Sequence, residues 1–207
     1  MKTKTRFTLI ATAMAMAAPA LASADTMAGL GFDNVHISLG AISASVPAGK
    51  LTIGHIFPTD ATGIGFTAVG GSGDGLNFQR VQVRAEKLLP LDGGVLAPEA
   101  VIGDVRVGGL PQGHVSAAYA GVGAAYIYQM GQYAWVTANA TAGRDFGLHA
   151  TGYKTADGTY YQAGADLDIG GVGPGILAVG YDYRHLPVAR GLKLNTSGFQ
   201  AVYNIIF

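Results

Sequence analysis

Cysteine is missing from all 207 residues of this chain, and charged residues are scarce. Without cysteine there is no disulfide framework, and thiol catalysis and cysteine-based metal sites are excluded. Only 13% of the residues are charged, against about 25% in ordinary soluble domains. Nucleic-acid binding calls for a basic stripe. After residue 24 the chain has all 13 acidic residues but, without Lys2, Lys4 and Arg6, only 10 of the 13 basic ones, and this weak negative balance argues against nucleic acid as a partner.

Long apolar runs are also missing from residue 25 onward. None reaches the roughly 18 residues of a membrane-spanning helix. The start of the chain differs: Lys2, Lys4 and Arg6 precede the apolar stretch FTLIATAMAMAA and the small residues ASA at 22–24. That order is typical of a secretory signal peptide, and the apolar run is short for an anchor. We therefore predict a signal peptide over 1–24 and one domain over 25–207.

What the chain has in abundance is glycine and side-chain alternation. All 32 glycines lie after residue 24. In LNFQRVQVRAEKL, Val81 and Val83 alternate with Arg80, Gln82 and Arg84, the period of two that marks a β-strand. Similar runs separated by turn signals predict ten strands. They lie near 34–44, 49–57, 63–70, 76–89, 99–108, 113–128, 132–147, 159–169, 175–184 and 195–207.

Three of these predicted strands have a further feature: a proline precedes one, and two have no clearly polar face. Pro98 cannot donate to a ladder, so we expect it to delay the start of the 99–108 strand. The runs at 113–128 and 132–147 are apolar or small on both faces, so their orientation stays open: either Trp135 or Val136 could point outward.

Alternation fits a soluble β-sandwich or a membrane barrel, and the shortage of charge favours the barrel. In a membrane barrel the apolar face meets lipid, the polar face lines a lumen, and closure pairs every backbone group. We predict an all-β fold, a closed antiparallel transmembrane β-barrel of about ten strands, with eight as the alternative if 34–57 pairs poorly. The longer connections, 148–158 and 185–194, would face outward, opposite both termini. Aromatic side chains near strand ends would form interfacial girdles: Tyr133, Trp135, Tyr181, Tyr183, Tyr203 and Phe207.

The chain ends on GFQAVYNIIF, in which Phe199, Tyr203, Ile205 and Phe207 share one face. An alternating last strand with a terminal phenylalanine resembles the C-terminal signature of bacterial outer-membrane barrels. The resemblance implies the cell outer membrane of a Gram-negative bacterium, contact with its lipid and lipopolysaccharide, and recognition of the four residues by the barrel insertion machinery.

A narrower resemblance rests on segments in order along the chain: KLTIGHI, TGIGFTAVGG, LNFQRVQVRAEKLLPLDGG and ILAVGYDYRHLPVARG. With the phenylalanine ending, they resemble the YfaZ-like family of small outer-membrane barrels. This resemblance implies a barrel in the outer membrane but brings no reaction, cofactor or surface partner.

Charges of both signs are predicted to point into the lumen: Arg80, Arg84, Glu86, Asp104, Arg106, Asp166, Asp168, Asp182 and Arg184. A barrel of about eight strands is filled by its side chains, and wide channels need about 16. The pattern therefore favours a lumen closed by paired charges, with a structural or surface-interaction role. A narrow passive pore is the alternative.

Catalysis is the third hypothesis, and we expect none. The triplets His36-Ile37-Ser38 and His114-Val115-Ser116 resemble the His-x-Ser of outer-membrane lipid A deacylases. That motif continues with Asn, whereas Leu39 and Ala117 follow here, and no acidic residue can be assigned to orient either histidine. The spacing of the five histidines predicts no zinc site, and no cofactor is predicted.

Overall fold

A computed structural model describes residues 26–111, 113–151, 155, 157–189 and 192–207. The predicted signal peptide, 1–24, lies outside these residues. Within the described residues, the fold has ten long strands and one short strand. In chain order they are β1 (Thr26–Leu39), β2 (Ile42–Phe57), β3 (Thr62–Gly73), β4 (Leu76–Lys87), β5 (Leu89–Leu91), β6 (Gly94–Leu110), β7 (Gly113–Gln129), β8 (Ala134–Ala150), β9 (Thr159–Val172), β10 (Gly175–Ala189) and β11 (Leu192–Ile206).

The sheet closes on itself. Sequential long strands pair antiparallel, β1 pairs with β11, and β4 pairs with β6. Short β5 continues beyond β4 and pairs with the start of β6. The predicted ten-stranded antiparallel barrel is therefore confirmed. Both chain ends of the barrel lie at one end, here called the terminal end, and the opposite end is called the far end.

Three predicted boundaries are wrong. The 34–44 strand spans a tight turn, because Gly40 adopts a φ of 60° between β1 and β2. These two strands pair along their whole length, which removes the eight-strand alternative. Most of the predicted loop 185–194 is strand, since β10 runs to Ala189 and β11 starts at Leu192. Finally, β6 begins at Gly94 and carries Pro98 on its outer face, so the proline does not delay the strand.

The barrel interior is built in three layers. Buried apolar side chains near the far end form one layer, here called the far-end apolar layer. Its members are Val35, Ile37, Leu39, Ala44, Val46, Ala48, Val69, Leu76, Phe78, Val101, Val105, Val107, Val115, Ala117, Tyr119, Ala150, Tyr160, Leu186, Val188 and Leu194. Nearest the terminal end is the terminal apolar layer: Met27, Ile56, Leu88, Val95, Ala97, Ala125, Ile127, Trp135 and Ile176. Buried charged and amide side chains lie between them.

The outer face also changes character along the barrel. Every long strand except β8 presents at least one large apolar side chain to the outside at mid-barrel, and these side chains are here called the apolar belt. Representative members are Leu30, Phe32, Ile53, Phe66, Val83, Ile102, Val122, Leu167, Val179, Phe199 and Ile205. Toward the far end the outer face of β1 and β2 becomes polar, with Asn34, His36, Ser43 and Ser45. Among the described residues, no helix is long and apolar enough to cross a membrane.

Candidate functional site: the charged lumen

The middle layer of the lumen, here called the charged layer, holds buried ionisable side chains: Asp33, Lys50, Arg80, Arg84, Glu86, Glu99, Asp166, Asp168, Asp182 and Arg184. Strand alternation aims them inward from β1, β2, β4, β6, β9 and β10. Burying a charge is costly unless it is paired and hydrogen-bonded. The layer should therefore contain pairs, and the structure shows them.

One set of contacts crosses the lumen between strands that are not neighbours. Arg80 Nη2 on β4 lies 3.4 Å from Asp33 Oδ2 on β1, and Arg80 Nη1 lies 3.8 Å from Asp182 Oδ2 on β10. The Asp182 carboxylate also accepts a 2.6 Å bond from Arg184 Nη2. Arg184 Nε donates to Gln162 Oε1 at 3.0 Å. This chain of contacts joins opposite walls of the barrel through one guanidinium.

A second group lies on the wall formed by β4, β6 and β8. Arg84 Nη1 lies 2.8 Å from Glu99 Oε2. The other carboxylate oxygen of Glu99 accepts a 2.6 Å hydrogen bond from the Thr141 hydroxyl. Both charged side chains are fully enclosed. Because both groups are buried, removal of either partner would leave an uncompensated charge inside the barrel.

A third group links β2, β11 and β9. The Lys50 ammonium donates to Gln200 Oε1, and Gln200 Nε2 donates to Asp166 Oδ1 at 2.8 Å. A Cβ on Gly180 would collide with the Asp166 carboxylate. The glycine therefore provides the room in which a buried carboxylate fits against the β10 backbone, which is one reason for the glycine content of these strands.

The structure places seven of the nine predicted lumen residues inside: Arg80, Arg84, Glu86, Asp166, Asp168, Asp182 and Arg184. The expectation for Asp104 and Arg106 is wrong, because both lie on the outer face of β6 and pair with each other at 2.9 Å. Val105 and Val107 take the inward positions there, in the far-end apolar layer. At the far end of β6 the interior is apolar and the exterior is polar, so the polar face of this strand is there the outer one.

Three charged members of the layer were missed from sequence: Asp33, Lys50 and Glu99. Asp33 precedes the misplaced 34–44 strand, and Glu99 is the first residue of the predicted 99–108 strand, directly after the proline that was expected to delay its start. Both share parity with inward neighbours, Val35 and Val101. That parity is the signal that could have found them. Lys50 and Thr52 both lie on the inner face of β2, with exposed Leu51 between them. Lys50 was overlooked although it lies inside the predicted 49–57 strand.

Aromatic side chains divide between the two faces. Tyr133, Tyr181 and Phe207 are exposed, and Tyr181 packs edge-on against Phe199 at 5.1 Å between ring centroids. Trp135 points inward and is buried in the terminal apolar layer. Its predicted place in an outer girdle is therefore wrong, and the orientation of β8 left open by the sequence is resolved with Thr137 and Asn139 inward.

The histidine–serine triplets lie on the outer face at the far end. The His36 ring does not bond Ser38; its hydrogen bonds go to Ser43 Oγ at 3.2 Å and Ser45 Oγ at 3.3 Å across the β1–β2 hairpin. His114 stacks on His149 with ring centroids 4.8 Å apart. Within the described residues, no three histidine, aspartate or glutamate side chains are grouped so that they could hold a metal ion.

The last strand lies where the barrel closes. β11 pairs with β1 from Met27↔Ile206 to Leu39↔Leu194. Phe199 and Ile205 are exposed on the outer face, as is terminal Phe207. The backbone N–H of Phe207 donates to the Thr26 carbonyl at 2.9 Å. Gln200 and Asn204 are buried inside.

Comparisons with known proteins give structural likeness only. No model of a protein family matches this chain, and no curated protein matches it. Neisserial surface protein A (NspA) is similar with a TM-score of 0.47 and 10% identity, covering 88% of this chain and 97% of that one. Ail of Yersinia pestis, in a phospholipid bilayer nanodisc, gives 0.45 and 13%, covering 88% and 100%. CymD, described as a monoaromatic hydrocarbon channel, gives 0.31 and 8%, covering 94% and 92%. Likeness at this level assigns no activity or partner to this chain.

Proposed function

We propose that this chain is an integral β-barrel protein of the Gram-negative outer membrane, with a structural or surface-interaction role and a lumen filled by side chains. The apolar belt carries this proposal. Soluble monomers rarely expose contiguous apolar patches larger than a few hundred Å², yet here large apolar side chains of the belt emerge from nine of the ten long strands. The long strands leave no open edge between them. A closed barrel with an apolar outer surface is the form that suits the hydrocarbon core of a bilayer.

Strand length supports a proposed orientation of the barrel in the membrane. A tilted strand crosses the hydrocarbon with about 9–11 residues, whereas β6, β7 and β8 each have 17. The surplus lies where the exterior turns polar and the interior becomes the far-end apolar layer. That arrangement is the normal one for a protein in water, so we place the far end outside the hydrocarbon, on the cell surface, with both termini in the periplasm.

The proposals on surrounding lipid, insertion and export rest on the sequence as well as on the fold. We propose outer-membrane lipid and lipopolysaccharide as the surroundings of the belt, and the barrel insertion machinery as the reader of Phe199, Tyr203, Ile205 and Phe207. Export would use the signal peptide over 1–24. The YfaZ-like resemblance stays a prediction, supported by the segment order alone.

The membrane assignment predicts a heat-modifiable protein. Because closed barrels keep their backbone hydrogen bonds in mild detergent, the unheated protein from the membrane fraction should migrate differently on a gel from the boiled protein. The measurement is a pair of gel lanes, with a soluble periplasmic protein as the control. Recovery of the chain in the soluble periplasmic fraction would overturn the proposal.

A narrow passive pore is the second candidate, favoured by charges of both signs inside the lumen. Opposing it, an apolar layer lies on each side of the charged layer, and the ion pairs between these layers are buried. We therefore expect purified protein in a planar bilayer to show little or no stable conductance. Large, uniform single-channel steps would favour the pore and rule out the closed lumen.

A further inference from the structure

A small cavity opens at the far end, above the far-end apolar layer. Its volume is about 170 Å³, and aliphatic side chains supply most of its wall, among them Leu39, Ile42, Leu110, Val115 and Leu192. Leu39 and Val115 belong to the far-end apolar layer, and the other three pack against it. The floor of the cavity is therefore tightly packed core, so the cavity is a closed recess and not the mouth of a passage.

The polar residues of this wall satisfy each other. The backbone N–H of Thr151 donates to the His114 carbonyl at 3.2 Å, and the backbone N–H of His114 lies 3.4 Å from Thr151 Oγ1. The His114 ring stacks on His149 on the outer face of the barrel. Among the described residues of the wall, a molecule in the recess therefore meets aliphatic carbon and these mutually bonded polar groups.

We propose that this recess binds a free, neutral, apolar molecule about the size of one aromatic ring. Apolar cavities of about 150 Å³ stay dry and take up benzene or xenon in other proteins. The apolar wall also predicts selectivity: a hydroxyl group on the ligand would lose its water without gaining a partner, which should weaken binding by about tenfold. The recess is formed by the barrel alone, so this inference goes beyond the proposed membrane role and does not depend on it.

The test uses benzene and phenol as probes on the whole barrel in lipid nanodiscs, with Ile, Leu and Val methyl groups isotopically labelled for NMR. Benzene should produce saturable shifts at the methyls of Leu39, Leu110, Val115 and Leu192, and phenol should need about tenfold higher concentration. The belt methyls of Leu30 and Val122 report simple partitioning into lipid, which is linear in concentration.

Two variants separate specific binding from other effects. Ala41 is an exposed turn residue on the cavity wall, so Ala41→Phe should fill the recess and abolish the saturable shifts while leaving the barrel folded. Met130→Phe changes an exposed residue of the terminal-end turn as the matched control, and binding should be unchanged.

Four outcomes would overturn the inference. They are benzene shifts that never saturate, benzene shifts that persist in Ala41→Phe, equal affinity for phenol, and cross-relaxation showing that a lipid acyl chain already occupies the recess. If Ala41→Phe loses the heat-modifiable band, the benzene–phenol comparison in the unaltered chain still decides. Heat modifiability of that chain tests the membrane proposal separately.

Discussion

Replacing Arg84 with methionine should lower the free energy of unfolding by about 3–5 kcal/mol, because it leaves the Glu99 carboxylate buried without its counter-charge. The Arg84 and Glu99 side chains are 1% and 0% exposed, and their ion pair measures 2.8 Å. Methionine keeps most of the volume, so packing changes little. Urea titration of the barrel refolded in lipid vesicles measures the loss.

The structure supplies a matched control for this effect. Arg106 and Asp104 form a pair of nearly equal length, 2.9 Å, but the Arg106 side chain is 65% exposed. Arg106→Met should therefore cost no more than about 1 kcal/mol. Adding Glu99→Gln to Arg84→Met should recover part of the loss, because the amide carries no charge. Equal losses for the two arginine variants would mean that the lumen is wet and that the charged layer is not closed.

Removing Phe207 should strongly reduce assembly in cells while changing the stability of the finished barrel little. Its side chain is 68% exposed on the outer face, and its described backbone bond is a single N–H donated to Thr26. One such bond contributes about 0.5–1.5 kcal/mol. Most of the truncated chain should fail to reach the heat-modifiable form in cells, yet refold normally in vesicles with a small loss of stability.

The control for Phe207 is Phe32→Ala. Phe32 is an exposed phenylalanine of β1, which pairs with β11. It belongs to the same apolar surface but lies outside the C-terminal strand, so its removal should leave assembly in cells nearly intact. Normal insertion without Phe207, or equal defects in both variants, would reduce the C-terminal stripe to ordinary lipid-facing surface.

Much of this fold follows from side-chain alternation, and the error at Asp104 and Arg106 shows where alternation fails. Period two separates the faces of a strand correctly, as Val81 and Val83 outside and Arg80 and Arg84 inside show. Alternation does not say which face is inside. In the belt the apolar face of β6 is outside, whereas toward the far end its apolar face is inside, so Asp104 and Arg106 were assigned to the lumen on a rule that holds only within the belt.

The other errors come from reading each strand alone. Asp33 was missed because the predicted strand started at residue 34, whereas β1 starts at Thr26. Trp135 was assigned to the girdle from residue type, but its neighbours in the terminal apolar layer come from distant strands. Cross-lumen contacts such as Arg80 with Asp182 depend on closure of the whole barrel. The alternation pattern of a single strand does not show which residues meet across the lumen.

The most direct test of the account is depth-dependent accessibility of spin labels in the reconstituted barrel. Because the chain has no cysteine, single cysteines can be placed at Val122, which is 71% exposed in the apolar belt, and at Ser43, which is exposed on the far-end exterior. If the apolar belt lies in hydrocarbon, a label at Val122 will collide mainly with oxygen. A label at Ser43 will collide mainly with a water-soluble nickel chelate. Equal access of the chelate to both positions would contradict this placement of the belt.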